Sequence, residues 1–143
     1  MCGICGQLRF DHQTVNSQTI KSMMSKIERR GPDDSGSWIN GSIGFGHQRL
    51  SIIDLSKNGS QPMIDRELDL TLVFNGTIYN YQLLRTELIK KGYRFFSESD
   101  SEVILKSYHL WGQDVSRNLM ACLHLPFGTP ARVCFFWLVT EWE

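Results

Sequence analysis

Cysteine is the second residue of the chain, directly after the initiator methionine. Removal of a methionine that precedes a small side chain would leave Cys2 as the N-terminal residue. It would then carry a thiol and an α-amino group with ordinary pKa values of about 8.5 and about 7.7–8.0. An N-terminal amine that activates the nucleophile of its own residue is an established arrangement in covalent catalysis. Cys2 is therefore the candidate nucleophile.

The same cysteine also forms a Cys-x-x-Cys pair with Cys5. This spacing is typical of half a zinc site, but a complete site needs a second pair, and Cys122 and Cys134 are wrongly spaced for one. The sequence thus predicts no metal site. Cys5 is predicted to be a buried core thiol.

Composition excludes several classes of protein. The 143 residues include 15 Lys and Arg and 15 Asp and Glu, so the formal net charge is zero and neither nucleic acid nor a membrane surface is an expected partner. No apolar run reaches the length of about 18 residues that a membrane span requires. The N-terminus lacks the pattern of a signal peptide. Four cysteines without a secretion signal are typical of reduced cytosolic thiols, so we expect a cytoplasmic protein.

Hydrophobic periodicity predicts the elements that would position Cys2. Predicted strands cover residues 4–10, a hairpin around Asn40-Gly41, residues 48–54, residues 69–74 and residues 94–96. Predicted helices begin after Asn16-Ser17, cover residues 81–91, and run from a Ser99-Asp100 cap to Trp111. Hairpins followed by helices indicate an α+β fold, not a regular parallel βαβ chain.

Six short motifs stand in order along residues 1–116. They are MCGI at 1–4, RGPD at 30–33, GFGHQRLSI at 44–52, QPM at 61–63, NGTIYN at 75–80 and SDSEV at 99–103. Together they closely resemble the glutamine amidotransferase domain of glutamine-hydrolysing asparagine synthetases, a class II amidotransferase and N-terminal-nucleophile (Ntn) hydrolase. The resemblance implies a four-layer αββα sandwich, here incomplete at the C-terminus. It also implies hydrolysis of glutamine to glutamate and ammonia.

The resemblance also implies individual roles. Cys2 would attack the side-chain carboxamide of glutamine and form a γ-glutamyl thioester. The side chain of Asn75 and the N–H of Gly76 would form the oxyanion hole. Arg49 would bind the α-carboxylate of glutamine, and Asp100 its α-ammonium group. A charged Arg49 within a predicted apolar strand is costly unless it is paired, which independently favours a binding role.

Thr77 departs from the family pattern. The family usually has a glutamate at this place in the motif, and its carboxylate helps to hold the substrate ammonium group. A threonine offers only a neutral hydroxyl, so we expect weaker glutamine binding with the chemistry retained.

The resemblance sets further expectations about cofactors and partners. The glutaminase step needs no cofactor and no metal, and glutamine is the small-molecule substrate. ATP and Mg²⁺ would serve the synthetase (ATP-pyrophosphatase) domain of a full-length relative, which is expected to be absent from this chain. In that enzyme the ammonia would amidate an activated aspartate to asparagine. A homodimer is left open for full-length members.

Residues 117–143 do not continue the family pattern, which normally runs on with a segment like LNGMFAFAIWD. Synonymous codons for residues 120–143, read from two bases later, can give GMFAFAIWDARTRVLFLARDRMG. We therefore interpret residues 1–116 as a partial amidotransferase domain and residues 117–143 as a frameshifted tail, which would leave open sheet edges and an incomplete core. Two alternatives stay open: the glutaminase domain of another class II amidotransferase, and an inactive truncated fragment without stable function.

Overall fold

The computed structural model describes residues 2–128 and 133–136, with side chains as far as residue 120. The strands are β1 (Gly3–Leu8), β2 (Asp34–Asn40), β3 (Ile43–Arg49), β4 (Met63–Asp65), β5 (Leu70–Leu72), β6 (Asn75–Ile78), β7 (Ala121–Gly128) and β8 (Val133–Phe136). The helices are α1 (Ser17–Ile27), α2 (Tyr81–Lys90) and α3 (Asp100–Trp111). Short 3-10 turns follow α1 and α3.

The first sheet is antiparallel, in the order β1-β3-β2. A two-residue turn joins β2 to β3, and Gly41 has a φ of 53° there, which a residue without a side chain adopts easily. This confirms the hairpin predicted around Asn40-Gly41. Every residue of β3 is buried, so this central strand is enclosed on both faces.

The second sheet has the order β4-β5-β7-β6, and β8 also pairs with β7. Strands β5 and β6 keep one register along β7, because Leu72 pairs with Phe127 and Asn75 with His124. They therefore act as one long strand that is interrupted at residues 73–74. This interruption lies directly before Asn75.

The helices cover the outer faces of the two sheets. In α1, Ile20 and Met24 pack with Val15 against the first sheet. The larger core cluster joins α2 and α3 to the second sheet and includes Leu72, Leu88 and Ile104. Three buried residues between the sheets form a third cluster: Ile43, Phe45 and Val73. The chain is thus an α+β protein with the layer order αββα.

Predicted caps and helices agree closely with the structure, and two predicted strands do not. Asn16 caps α1 and Ser99 caps α3, each through a side-chain oxygen that accepts a backbone N–H. The strand predicted over residues 48–54 ends at Arg49, because the guanidinium binds carbonyls of the next segment and turns the chain. The strand predicted over residues 94–96 is absent, because Phe96 donates its N–H to the Glu102 carboxylate.

Other differences concern strands. Strand β4 covers residues to which no element was assigned from the sequence. The strand predicted over residues 69–74 is shortened to β5. Strands β7 and β8 lie within residues 117–143, where the pattern predicted no element. No helix among the described residues is long and apolar enough to cross a membrane.

Candidate active site

A pocket of about 180 Å³ opens where the ends of β3 and β6 meet the first turn of α3. Its walls come from both sheets, so distant parts of the chain contribute to it. All six residues singled out in the sequence line this pocket: Cys2, Arg49, Asn75, Gly76, Thr77 and Asp100. The structure therefore brings the whole predicted set to one place.

Cys2 is half-buried directly before β1, and its thiol lies against the residue that follows β3. The N–H of Leu50 donates to Sγ at 3.3 Å, and the thiol in turn contacts the Leu50 carbonyl oxygen at 3.6 Å. Arg30 Nε donates to the Cys2 carbonyl oxygen at 3.2 Å. The backbone and the thiol of Cys2 are thus both fixed at the pocket wall.

Arg49 ends β3 with its side chain buried against the following loop. Nη1 donates to the Ser56 carbonyl at 2.8 Å, and Nη2 donates to the Asp54 carbonyl. These bonds use two of the five N–H donors of a guanidinium and go to neutral carbonyls, while the Asp54 carboxylate interacts with the arginine's charge. Gly59 permits this packing, because a Cβ there would lie 2.5 Å from Nη2. Arg49 can therefore receive an anionic group that enters the pocket.

The residue before Asn75 is held at both of its backbone polar groups. The N–H of Phe74 donates to Gln61 Oε1 at 2.5 Å. The Phe74 carbonyl lies 3.2 Å from His47 Nε2, so the neutral ring must carry its proton on Nε2. Burial lowers the pKa of His47 to about 4. The charge of Arg49 also lowers this pKa, whereas the hydrogen bond to the Phe74 carbonyl opposes the shift. These contacts hold the interruption between β5 and β6 in place.

Strand β6 presents an N–H of Gly76 toward the pocket. The N–H groups of Phe74 and Ile78 leave the sheet and bind side chains, Gln61 Oε1 and Asp100 Oδ2 respectively. Gly76 lies two residues from each, and alternate N–H groups of a strand point the same way. Its N–H is therefore directed out of the sheet, beside the half-buried Asn75. This N–H and the Asn75 amide are two donors of the kind that can stabilise a developing oxyanion.

Asp100 is the first residue of α3 and is buried. Oδ2 accepts the Ile78 N–H at 3.2 Å. Burial raises the pKa of the Asp100 carboxyl, and the backbone hydrogen bonds from Ile78, Ser101 and Asp100 itself only partly oppose it. A cation placed against the carboxylate would relieve this cost.

Thr77 is exposed on β6 and lines the same pocket. Its hydroxyl carries no charge, so this side chain brings no second carboxylate to the side of the pocket where Asp100 lies. Within residues 2–120, no three His, Cys, Asp or Glu side chains are grouped so that they could hold a metal ion.

Sequence comparison assigns the chain to a family. The sequence model of the glutamine amidotransferase domain matches residues 1–124. The chain belongs to this family. It is 41% identical over 122 residues to asparagine synthetase [glutamine-hydrolyzing] 3 of Bacillus subtilis, an alignment of 83% of this chain and 20% of that protein. It is 42% identical over 132 residues to the putative asparagine synthetase [glutamine-hydrolyzing] 2 of Methanocaldococcus jannaschii, covering 80% of this chain and 25% of that protein.

A solved structure shows the same fold. Glutamine phosphoribosylpyrophosphate amidotransferase of Bacillus subtilis, an Ntn-hydrolase amidotransferase, superposes with a TM-score of 0.75 and 17% identity, over 90% of this chain and 35% of that one. The chain is thus an amidotransferase domain of the Ntn-hydrolase fold, homologous to the glutaminase domains of asparagine synthetases, whose step requires no cofactor. It spans about a fifth to a quarter of the length of these curated relatives.

Sequence reasoning missed the polar residues that support this amidotransferase site. Asp54 and Gln61 are buried, and their side chains accept backbone N–H groups. Gln61 Nε2 also donates to Ser101 Oγ at 3.1 Å. Gln61 stood inside one of the six motifs without a role. The sequence did offer one signal for Asp54: it ends a run of mostly apolar residues, where a charge is costly unless it is paired.

Proposed function

We propose that this chain hydrolyses glutamine to glutamate and ammonia, with Cys2 as nucleophile. One observation carries the proposal: a half-buried thiol, a buried guanidinium and a buried carboxylate line a single pocket of about 180 Å³. A free amino acid carries a carboxylate and an ammonium group on one carbon. Arg49 and Asp100 match those two charges, and Cys2 is left for the side chain.

The reaction then needs a protein group for each of three events: attack by the sulfur, protonation of the departing nitrogen and stabilisation of the carboxamide oxygen. The Cys2 sulfur attacks the carboxamide carbon and forms a C–S bond, while its proton passes to the departing nitrogen, which leaves as ammonia. The Asn75 side chain and the Gly76 N–H stabilise the oxyanion of the tetrahedral intermediate. Water then cleaves the thioester, which yields glutamate and restores the thiol. No metal or cofactor enters any of these steps.

The α-amino group of Cys2 would act as the base once Met1 has been removed. An amine near its pKa at neutral pH can accept the thiol proton and return it to the leaving nitrogen. A chain that retains Met1 has an amide at this place, and an amide is not a base. Activity should therefore depend on removal of Met1.

The role of the complete protein is a wider proposal. The relatives named as asparagine synthetases support the proposal that, in a longer protein, the ammonia passes to an ATP- and Mg²⁺-dependent synthetase domain. ATP and Mg²⁺ would serve that other domain, and no step of the glutaminase reaction proposed here is routed through them.

We further propose that residues 117–143 are read out of frame. The alternative reading GMFAFAIWDARTRVLFLARDRMG supports this, because both readings share their bases and little freedom of codon choice remains. Sequencing the locus and its transcript tests it. A second frame that continues an amidotransferase sequence is expected, and a second frame that is interrupted by stop codons would contradict the proposal.

Ammonia release from glutamine by the purified chain tests the main proposal. We expect release from a chain with a processed N-terminus and none from Cys2→Ala, while Cys5→Ala, which changes the other described cysteine, keeps activity. Intact mass measurement reports whether Met1 is absent. Equal activity in Cys2→Ala and the unchanged chain, or no ammonia release from a folded, processed chain, would refute the glutaminase assignment.

A further inference from the structure

Two loops border the pocket that would hold the α-carboxylate and α-ammonium groups of glutamine: the first contributes four lining residues between 50 and 54, and the second contributes Ser99. Residues 50–56 follow β3 and supply the carbonyls that bind the Arg49 guanidinium. Residues 96–99 lead into α3 and to Asp100. The two loops are about forty residues apart in sequence, so their separation depends on contacts between them.

Asp54 makes a contact with each loop through a different carboxylate oxygen. Oδ1 accepts the N–H of Ser56 at 2.8 Å, inside its own loop. Oδ2 accepts the N–H of Glu98 at 3.0 Å, two residues before Asp100. The Asp54 carbonyl also accepts a bond from Arg49. One residue therefore binds the arginine through its backbone and the loop of the ammonium site through its side chain.

The other anchors of residues 96–99 come from the helix side. Glu102 accepts the N–H groups of Phe96 and Ser97, at 2.9 and 2.7 Å. Arg85 donates to the Ser97 carbonyl at 2.8 Å. These bonds fix the loop to α2 and α3 but not to the strand that ends in Arg49. The Asp54 bridge supplies that connection.

Asp54 is suited to this bridge because it is buried and ionised. Its side chain is largely enclosed, with 8% of the residue exposed. Burial opposes ionisation, but hydrogen bonds from Ser56 and from the Glu98 N–H, with the charge of Arg49, hold the pKa of Asp54 below its ordinary value. A carboxylate accepts at both oxygens, whereas an asparagine in the same place would turn an NH₂ donor toward one of the two N–H groups.

We propose that Asp54 is a positioning residue that sets the separation of Arg49 and Asp100, and so makes the site selective for molecules that carry both an α-carboxylate and an α-ammonium group. This inference rests on the proposed glutaminase function. Asp54 lines the pocket, but both of its carboxylate oxygens already accept backbone N–H groups, so we assign it no contact with the substrate. Its effect would pass through the two loops that it joins.

Two substrates that differ in one charged group test this role. Glutamine is compared with 4-carbamoylbutanoate, which is glutamine without its α-amino group, as substrates of the unchanged chain and of Asp54→Asn. We expect the unchanged chain to prefer glutamine strongly in kcat/KM. In Asp54→Asn this preference should fall about tenfold, mainly through a higher KM for glutamine, because the ammonium site is displaced from the carboxylate site.

The ratio of the two substrates distinguishes positioning from general damage. A variant that is merely less folded loses activity toward both substrates equally, and its preference is unchanged. An unchanged preference in Asp54→Asn would overturn the inference. Asp65→Asn is the control for general damage, because Asp65 is a buried carboxylate that accepts the N–H groups of Glu67 and Leu68, pairs with buried Lys106 at 2.9 Å and does not line the pocket, so its loss should lower stability and leave the preference unchanged.

A binding measurement covers a variant with too little turnover for kinetics. Alkylation of Cys2 by iodoacetamide is followed with and without glutamine, and the protecting concentration gives an affinity. We expect Asp54→Asn to need about tenfold more glutamine than the unchanged chain, and an equal requirement would overturn the inference. If glutamine neither reacts with nor protects the unchanged chain, the proposed function fails instead, so the two failures are distinct.

Discussion

The N–H of Ile78 donates to the Asp100 carboxylate at 3.2 Å. This bond joins the strand that carries Asn75 and Gly76 to the helix start that carries the proposed ammonium site. It occupies Oδ2 and leaves the second oxygen without such a bond to this strand. The proposed oxyanion donors and the proposed ammonium site are therefore linked by one contact, and we expect changes at one to be measurable at the other.

Replacement of Asn75 by alanine should slow the chemical step and leave binding almost intact. The side chain is half-buried at the pocket and is proposed to act on the oxyanion, which exists only during the reaction. Loss of one such donor lowers kcat by about 10²–10³-fold in comparable sites. Steady-state kinetics with glutamine should show that fall in kcat with a KM changed less than about threefold.

Asn40→Ala is the control for this variant, since Asn40 lies in the exposed hairpin of the first sheet. It should retain the kcat of the unchanged chain. A kcat for Asn75→Ala within a few-fold of that of Asn40→Ala would argue against a role of Asn75 in the oxyanion hole.

Replacement of Thr77 by glutamate should strengthen glutamine binding. Thr77 is exposed and lines the pocket, so a longer acidic side chain can be accommodated there and would add a second negative charge for the substrate ammonium group. A partly exposed ion pair is worth about 1 kcal/mol, which corresponds to a fall in KM of about fivefold. The value of kcat should stay nearly constant.

The same substitution at Thr86, on the exposed face of α2, is the control for added charge. Thr86→Glu should leave the KM for glutamine unchanged. If Thr77→Glu does not lower KM relative to Thr86→Glu, the prediction that Thr77 weakens glutamine binding is wrong.

How far the sequence predicted this site depends on the kind of contact. Cys2, Arg49 and Asp100, which all line the pocket, could be singled out because a motif or an expensive charge marked them. The caps of α1 and α3 were predicted because capping is local in sequence. The roles of Asp54 and Gln61 were not found, because each depends on a backbone N–H far away in the chain, at Glu98 and Phe74 respectively. Hydrogen bonds between residues so far apart produce no periodicity or fixed spacing in the sequence from which they could be predicted.

The failed strand predictions have the same physical origin. Residues 50–54 are apolar enough for a strand, yet Ile52 and Ile53 are exposed beside the pocket. The loop carbonyls of Asp54 and Ser56 accept hydrogen bonds from Arg49 instead of pairing with a strand. The free energy that strand propensity contributes is small compared with the cost of a buried cation that lacks hydrogen-bond acceptors.

Replacement of Asp100 by asparagine should stabilise the fold and weaken binding at the same time. Burial raises the pKa of this carboxyl in the folded state, so ionised Asp100 costs stability at neutral pH, and that cost disappears as the pH falls below its ordinary pKa of about 3.9. Asparagine keeps an oxygen for the Ile78 N–H. We expect the melting temperature at pH 7 to rise by about 2–4 °C, while the KM for glutamine rises about tenfold or more.

Asp11→Asn is a control of opposite sign. The hydrogen bond from Arg9 lowers the pKa of exposed Asp11 to about 2, so this substitution should not raise the melting temperature and should not affect KM. A melting temperature for Asp100→Asn at or below that of the unchanged chain at pH 7 would show that the buried carboxylate is not a cost to folding.

Replacement of His47 by glutamine should reduce the sensitivity of the fold to acid. Burial lowers the pKa of His47 to about 4, whereas an unfolded histidine titrates at about 6.5. Its contribution is therefore complete above pH 6.5 and is lost as the pH falls toward 4, because only the unfolded chain takes up the proton readily. The gap corresponds to about 3 kcal/mol of unfolding free energy at most.

Urea unfolding of both chains between pH 4 and pH 7 measures this contribution. Glutamine can still donate to the Phe74 carbonyl that His47 Nε2 now contacts, so His47→Gln should keep its structure near pH 7 and lose less stability on acidification. His12→Asn, which changes an exposed histidine, should lose stability as the unchanged chain does. Parallel pH curves for the unchanged chain and His47→Gln would mean that the buried ring is protonated as easily in the folded state as in the unfolded one.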